Sequence, residues 1–209
     1  VPEVVPATIN LGQGNDIISI LSDNVDYGLR NNSDIKLGSG DDEINSVNVT
    51  GIGIYHTGIP FTNAARNGYI FGDEGDDIVI GNGSITGIRV ASRSYHRYPA
   101  SALIDMGSGD DTLEGEGNTY YGIEVRERGS IEAGSGNDNV IGFGNLAGIY
   151  NDGSISTGSG NDVVNAGLAG FDGSGITDLG QDDDELIGFG PGEFIGGFGV
   201  DTLRLYPGK

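Results

Sequence analysis

The sequence predicts an all-β fold: a parallel β-solenoid of about eight coils running through one domain, residues 1–209. Three observations predict it. A five-residue turn pattern, Gly-x-Gly-Asn/Asp-Asp, recurs eight times. Aliphatic residues keep fixed offsets from each turn, and no stretch offers a helical period of useful length. Forty of the 209 residues are glycine, without the three-residue period of collagen.

The acidic residue that ends each turn is Asp16, Asp42, Asp77, Asp111, Asp138, Asp162, Asp184 and Asp201. Four residues earlier stand Gly12, Gly38, Asp73, Gly107, Gly134, Gly158, Gly180 and Gly197. Two residues earlier stand Gly14, Gly40, Gly75, Gly109, Gly136, Gly160, Asp182 and Gly199. One residue earlier is Asn or Asp in every copy but the last, which has Val200. Two residues after the anchor the side chain is always aliphatic, from Ile18 to Leu203. Seven residues before it stand Ile9, Ile35, Ile70, Ile104, Ile131 and Ile155, then Thr177 and Phe194.

Each unit reads as three short strands separated by turns. Short strands cannot bury a face alone, so they must stack coil on coil with the aliphatic columns inward. Residues 1–8 form a leading segment, and the chain reads as part of a longer protein. The anchors are 26, 35, 34, 27, 24, 22 and 17 residues apart. The two longest coils carry insertions at 58–68 and 91–102, which the stacking places side by side.

The chain carries 31 Asp and Glu against 10 Lys and Arg, a formal net charge of −21. That charge repels nucleic acid and anionic membranes. With no cysteine there are no disulfides, thiolate metal sites or cysteine nucleophiles. No apolar run is long enough for a transmembrane helix. The opening residues lack the basic and apolar regions of a secretory signal.

Stacking sets the anchor aspartates in one file, one carboxylate about every 4.8 Å. Such a file repels itself and needs a counter-charge. Glycine-shaped turns can aim backbone carbonyls at a point beside a carboxylate, and six to eight hard oxygens suit Ca²⁺ better than Mg²⁺ or a soft metal. Eight turns leave seven gaps, so up to about seven ions would bring −21 to −7. A ladder of Asn, Asp and Gly turns without metal is the alternative, since these residues are good turn formers in themselves.

The pattern resembles the calcium-binding repeats-in-toxin (RTX) family, most closely in "FGDEGDDIVIG" at 71–81 and "GGFGVDTLRL" at 196–205. The resemblance implies that the eight anchors are side-chain ligands and that carbonyls of the residues two and four before each complete the shell. It also implies a right-handed coil, a bacterial source, type I export, and folding on Ca²⁺ outside the cell. The chain departs from the family in its long coils, which predicts ions along one edge only, and in Leu11, Leu37, Met106, Ala133 and Thr157, which replace the first glycine of the usual pair. Asp73 and Asp182 replace turn glycines, so altered geometry is expected in their gaps.

The function expected is a secreted or cell-surface calcium-binding module with a structural, adhesive or matrix role. Other copies or flanking domains are candidates to stack on the coil ends. The alternative is a β-helical enzyme, of the polysaccharide lyase or epimerase type, or a carbohydrate-binding segment. It would act on acidic polysaccharide through the 91–102 loop, with His56, Arg93, Tyr95, His96, Arg97 and Tyr98 as the candidate site. A folded-back loop whose arginines pair with nearby carboxylates explains the same residues without a ligand. Sequons at Asn31, Asn48 and Asn82 carry little meaning in a bacterial chain.

Overall fold

The computed structural model describes residues 8–23, 26–60, 65–92 and 100–206. They form three parallel sheets wound into one solenoid, with no helix among them. Sheet A begins with Ile9–Gln13 and sheet B with Ile17–Ser22; each has eight strands. Sheet C begins with Tyr27–Asn31 and has six parallel strands. Each of the first six coils visits A, then B, then C; the last two contribute strands to A and B only among the described residues.

The sequence columns are the structural files. In sheet A, Ile9 pairs with Ile35, Ile35 with Ile70, and so on through Ile104, Ile131, Ile155, Thr177 and Phe194. In sheet B the file runs Ile18, Ile44, Val79, Leu113, Val140, Val164, Leu186, Leu203. Sheet C supplies a third, Leu29, Ile54, Ile88, Ile123, Ile149, Phe171. These files meet in one core whose interior members are fully buried. Burying each such side chain contributes roughly 1.5–3 kcal/mol.

A second family of glycines sets the cross-section. Gly53, Gly87, Gly122 and Gly148 each precede the sheet-C core residue. They face Ser46, Gly81, Gly115 and Gly142 of sheet B, so the two backbones nearly touch. A Cβ on Gly142 would lie 2.4 Å from the Gly148 carbonyl oxygen, and one on Gly115 2.3 Å from that of Gly122. Both neighbours are backbone held in ladders and cannot give way. Gly142→Ala is expected to cost at least about 2 kcal/mol, in the manner of an overpacked core, read as a lower denaturant midpoint.

The insertions leave the solenoid where sheet C turns back to A. Gly58 pairs with Ser92 on the adjacent strand, so the two departures are neighbours, as expected. Ile59 and Pro60 then pair antiparallel with Arg66 and Ala65. Residues 61–64 and 93–99 lie outside the described residues.

Candidate metal-binding edge

The eight turns stack at the corner between sheets A and B. The residues four and two before each anchor all have positive φ: 97–137° for the fourteen glycines, 75° for Asp73 and 78° for Asp182. Asp enters the left-handed region more readily than most side chains. Both aspartates stay in the left-handed region, with φ below the lowest glycine value of the file. Asp73 stays in register with Gly38, and its carbonyl accepts from Ser108 at 3.0 Å. From the second coil on the turn glycines also lack room for a side chain: a Cβ on Gly158 would lie 2.0 Å from the Gly134 carbonyl oxygen.

Four axial ladders tie each turn to its neighbours, and each uses up an N–H. The N–H three before the anchor donates to a carbonyl of the preceding coil, as Ser135 does to Gly107 at 3.0 Å. The N–H two before donates to the following coil, as Gly136 does to Ser159 at 2.8 Å. The N–H one before donates backwards to the side-chain Oδ1 of the equivalent residue. Asn137 reaches Asp110 at 2.7 Å, Asn161 reaches Asn137 at 2.9 Å, and Asp183 reaches Asn161 at 3.0 Å. The anchor's own N–H donates forwards to the next anchor's Oδ1, at 2.6–3.2 Å, without a break from Asp16 to Asp201.

These ladders explain the residue choices. The position before the anchor needs only an acceptor oxygen facing solvent, so either Asn or Asp serves there. Val200 still donates to Asp183 at 2.8 Å, and no described coil follows to need an acceptor from it. The anchor position differs. Asn would offer the same Oδ1, yet all eight anchors are Asp.

The second carboxylate oxygen is the unexplained group. Oδ2 of Asp16, Asp42, Asp77, Asp111, Asp138, Asp162 and Asp184 is buried without a hydrogen-bond partner. It lies over the strand end five residues back: a Cβ on Gly72 would meet Asp77 Oδ2 at 2.4 Å. In four other coils that residue is apolar and buried, Leu37, Met106, Ala133 and Leu179, while before Asp162 it is the buried Thr157, whose hydroxyl draws the Asp162 carboxyl down against the effect of burial. Among the described residues no donor reaches the carbonyls of Gly14, Gly40, Gly75, Gly109, Gly136 or Gly160 either. Each turn has spent its N–H groups and keeps hard oxygens to spare. That donor set fits a cation that takes carboxylates from adjacent coils and backbone carbonyls. No three acidic or histidine side chains converge on one point among the described residues, so backbone oxygen would have to supply much of any shell.

The file is also electrostatically loaded. Burial first, and then neighbouring carboxylates, push Asp77, Asp111 and Asp138 up to about 7, although the bonded N–H of the preceding anchor pulls the other way. Asp184 is raised to about 6 and Asp162 is raised as well, again chiefly by burial.

The second candidate cluster is not assembled in the described part. His56 was expected at a surface site but lies inside the coil with no exposed surface. Its Nε2 is 3.1 Å from the Leu103 carbonyl and its Nδ1 3.2 Å from Asn31 Nδ2. Burial lowers its pKa to about 4, so it is a neutral core group. An inward side chain was missed because a lone His in a strand carries no sign of its face. Arg93, Tyr95, His96, Arg97 and Tyr98 lie outside the described residues. Arg89, on one strand of sheet C, and Arg126, just beyond the neighbouring one, both pair with the buried carboxylate of Glu124, and Arg126 lies 4.4 Å from the Tyr150 ring centre. Asn31 and Asn48 are buried turn caps, accepting from Ser33 and from Thr50 and Gly51 at 3.0 Å.

No protein-family model, curated protein or solved structure matches this chain. The fold class defined by the sheets is a three-sided parallel β-solenoid, and nothing narrower than that is identified.

Proposed function

We propose that the A–B edge binds a file of Ca²⁺ ions between successive turns, and that the chain is a calcium-dependent structural module of a secreted or cell-surface protein. The observation that supports this reading is the row of seven buried, unpartnered Oδ2 atoms at positions where Asn would satisfy the ladder equally well. Asp16, Asp42, Asp77, Asp111, Asp138, Asp162, Asp184 and Asp201 would hold the ions, with turn carbonyls beside them. When bound, Ca²⁺ supplies the counter-charge that the file lacks. Without it the stacked carboxylates oppose closure of the coils, so metal binding and folding are coupled. The RTX resemblance supports export before folding.

An action on acidic polysaccharide rests on residues 93–98 alone, since His56 is enclosed and Arg89 and Arg126 are engaged by Glu124.

Far-UV circular dichroism of EDTA-treated protein, titrated with Ca²⁺ and separately with Mg²⁺, tests the proposal. Held at a temperature where its metal-free form has melted, the protein is expected to gain β signal cooperatively with Ca²⁺ alone. An unchanged β spectrum in protein shown by elemental analysis to be metal-free would leave the edge as a bare turn ladder.

A further inference from the structure

The corner between sheets B and C has the opposite character to the acidic edge. Coil after coil it presents one apolar side chain near its tip: Val49, Ile85, Tyr120, Leu146, Leu168 and Phe189. All but Ile85 are 47–73% exposed. Backbone bonds hold the tips in file, with Tyr120 N donating to Ile85 O and Leu146 N to Tyr120 O, both at 2.9 Å. The stripe widens towards the later coils, where Phe143 and Tyr206 join it around a cleft of about 440 Å³. Together these side chains expose on the order of 500 Å² of apolar surface, more than scattered surface residues explain.

Charge singles out the same corner. One residue in five of the chain is charged. Yet residues 46–54, 78–88, 117–123, 139–149, 163–171 and 186–192, which build it from the second coil to the seventh, contain no Asp, Glu, Lys or Arg; the first coil places Asp23 and Asp26 there. A basic partner would be drawn to the acidic edge instead, and an anionic membrane would be repelled by the body as a whole. The natural occupant is a surface equally apolar, equally uncharged and of the same coil-to-coil period.

We propose that a second copy of this chain docks there, the two stripes lying against each other about a two-fold axis. Two bodies of charge −21 repel over most of their surfaces, with a screening length of about 8 Å at physiological salt. This corner is where they can meet without bringing charges together. Side chains spaced at about 4.8 Å on one stripe fit between those of the other, and a two-fold axis makes the one patch serve both partners. The patch covers much of the roughly 800 Å² per partner typical of a stable interface, with Asn145 and Asn165 as a polar rim.

Sedimentation velocity of the chain in excess Ca²⁺, where circular dichroism verifies the β fold, tests this separately from the calcium reading. The expected result is the mass of two chains at micromolar concentration. Leu168→Asp and Phe189→Asp, both at exposed tips, should each raise the dimer dissociation constant at least tenfold with an unchanged spectrum. Ile176→Asp, on the outer face of sheet A, should leave it alone. A single-chain mass at every concentration, including one accompanied by partitioning into neutral phosphatidylcholine vesicles, overturns the proposal. So does a dimer indifferent to both corner substitutions.

Discussion

Asp111→Asn is expected to have opposite effects with and without calcium. The amide keeps the Oδ1 that accepts the Asp77 N–H at 2.7 Å, so the axial ladder survives. It removes one charge from a buried file of like charges. In EDTA at pH 8 the variant should therefore melt at or above the wild-type temperature. In excess Ca²⁺ it should melt on the order of 10 °C lower, several kcal/mol for a chain of this size. It should also bind one or two fewer ions, since each interior carboxylate borders two gaps. Asp111→Ala separates ladder from charge: it strands the buried Asp77 N–H and should cost about 1–3 kcal/mol in either condition. An Asn variant whose melting and ion count ignore Ca²⁺ would sink the metal assignment and leave the ladder intact.

The second large effect is on pH. The folded-state values of Asp77, Asp111 and Asp138, about 7, and of Asp184, about 6, lie above the ordinary carboxyl value of 3.8. A group raised by folding binds its proton more readily in the native state. Its stabilisation is complete below about pH 4 and is lost as pH climbs to about 7. Metal-free protein should thus melt higher at pH 5 than at pH 8, by on the order of 10 °C for the file as a whole. Calcium competes with those protons, so its affinity should rise over the same interval and the slope in excess Ca²⁺ should flatten or invert. Melting curves at the two pH values, with EDTA and with Ca²⁺, check both halves. A metal-free protein more stable at pH 8 would mean that the file is not buried as a set of carboxylates.

The parts legible in the sequence were those repeated in every coil. The columns through Ile35 and Ile44 became the cores of sheets A and B residue for residue, because a parallel ladder has one register and any slip would expose the whole column. The turn could be located for the same reason. What each oxygen does there could not be read, because donors come from the neighbouring coil, 17–35 residues away. Hence no role could be read for the Oδ1 before the anchor, which accepts a backbone N–H from the following coil. The facing glycines of sheets B and C escaped notice because Gly142 and Gly148 constrain each other across a turn, at no constant spacing between coils. His56 was misplaced because a histidine suggests a surface group, although it follows the core residue Ile54 on the same side of its strand. The apolar corner was visible only once Leu146, Leu168 and Phe189 stood on one edge.

The two side-chain ladders run in opposite directions, the anchor's N–H forwards and its neighbour's backwards, and every step between coils repeats the same exchange. Each coil therefore presents the same two faces to whatever lies above and below it. A whole coil, gained or lost between equivalent residues, leaves no stranded donor. A single residue added inside the five-residue turn displaces both files at once. Such an architecture accepts change in large quanta and refuses it in small ones. That accounts for coils that vary twofold in length around a turn whose own length never varies.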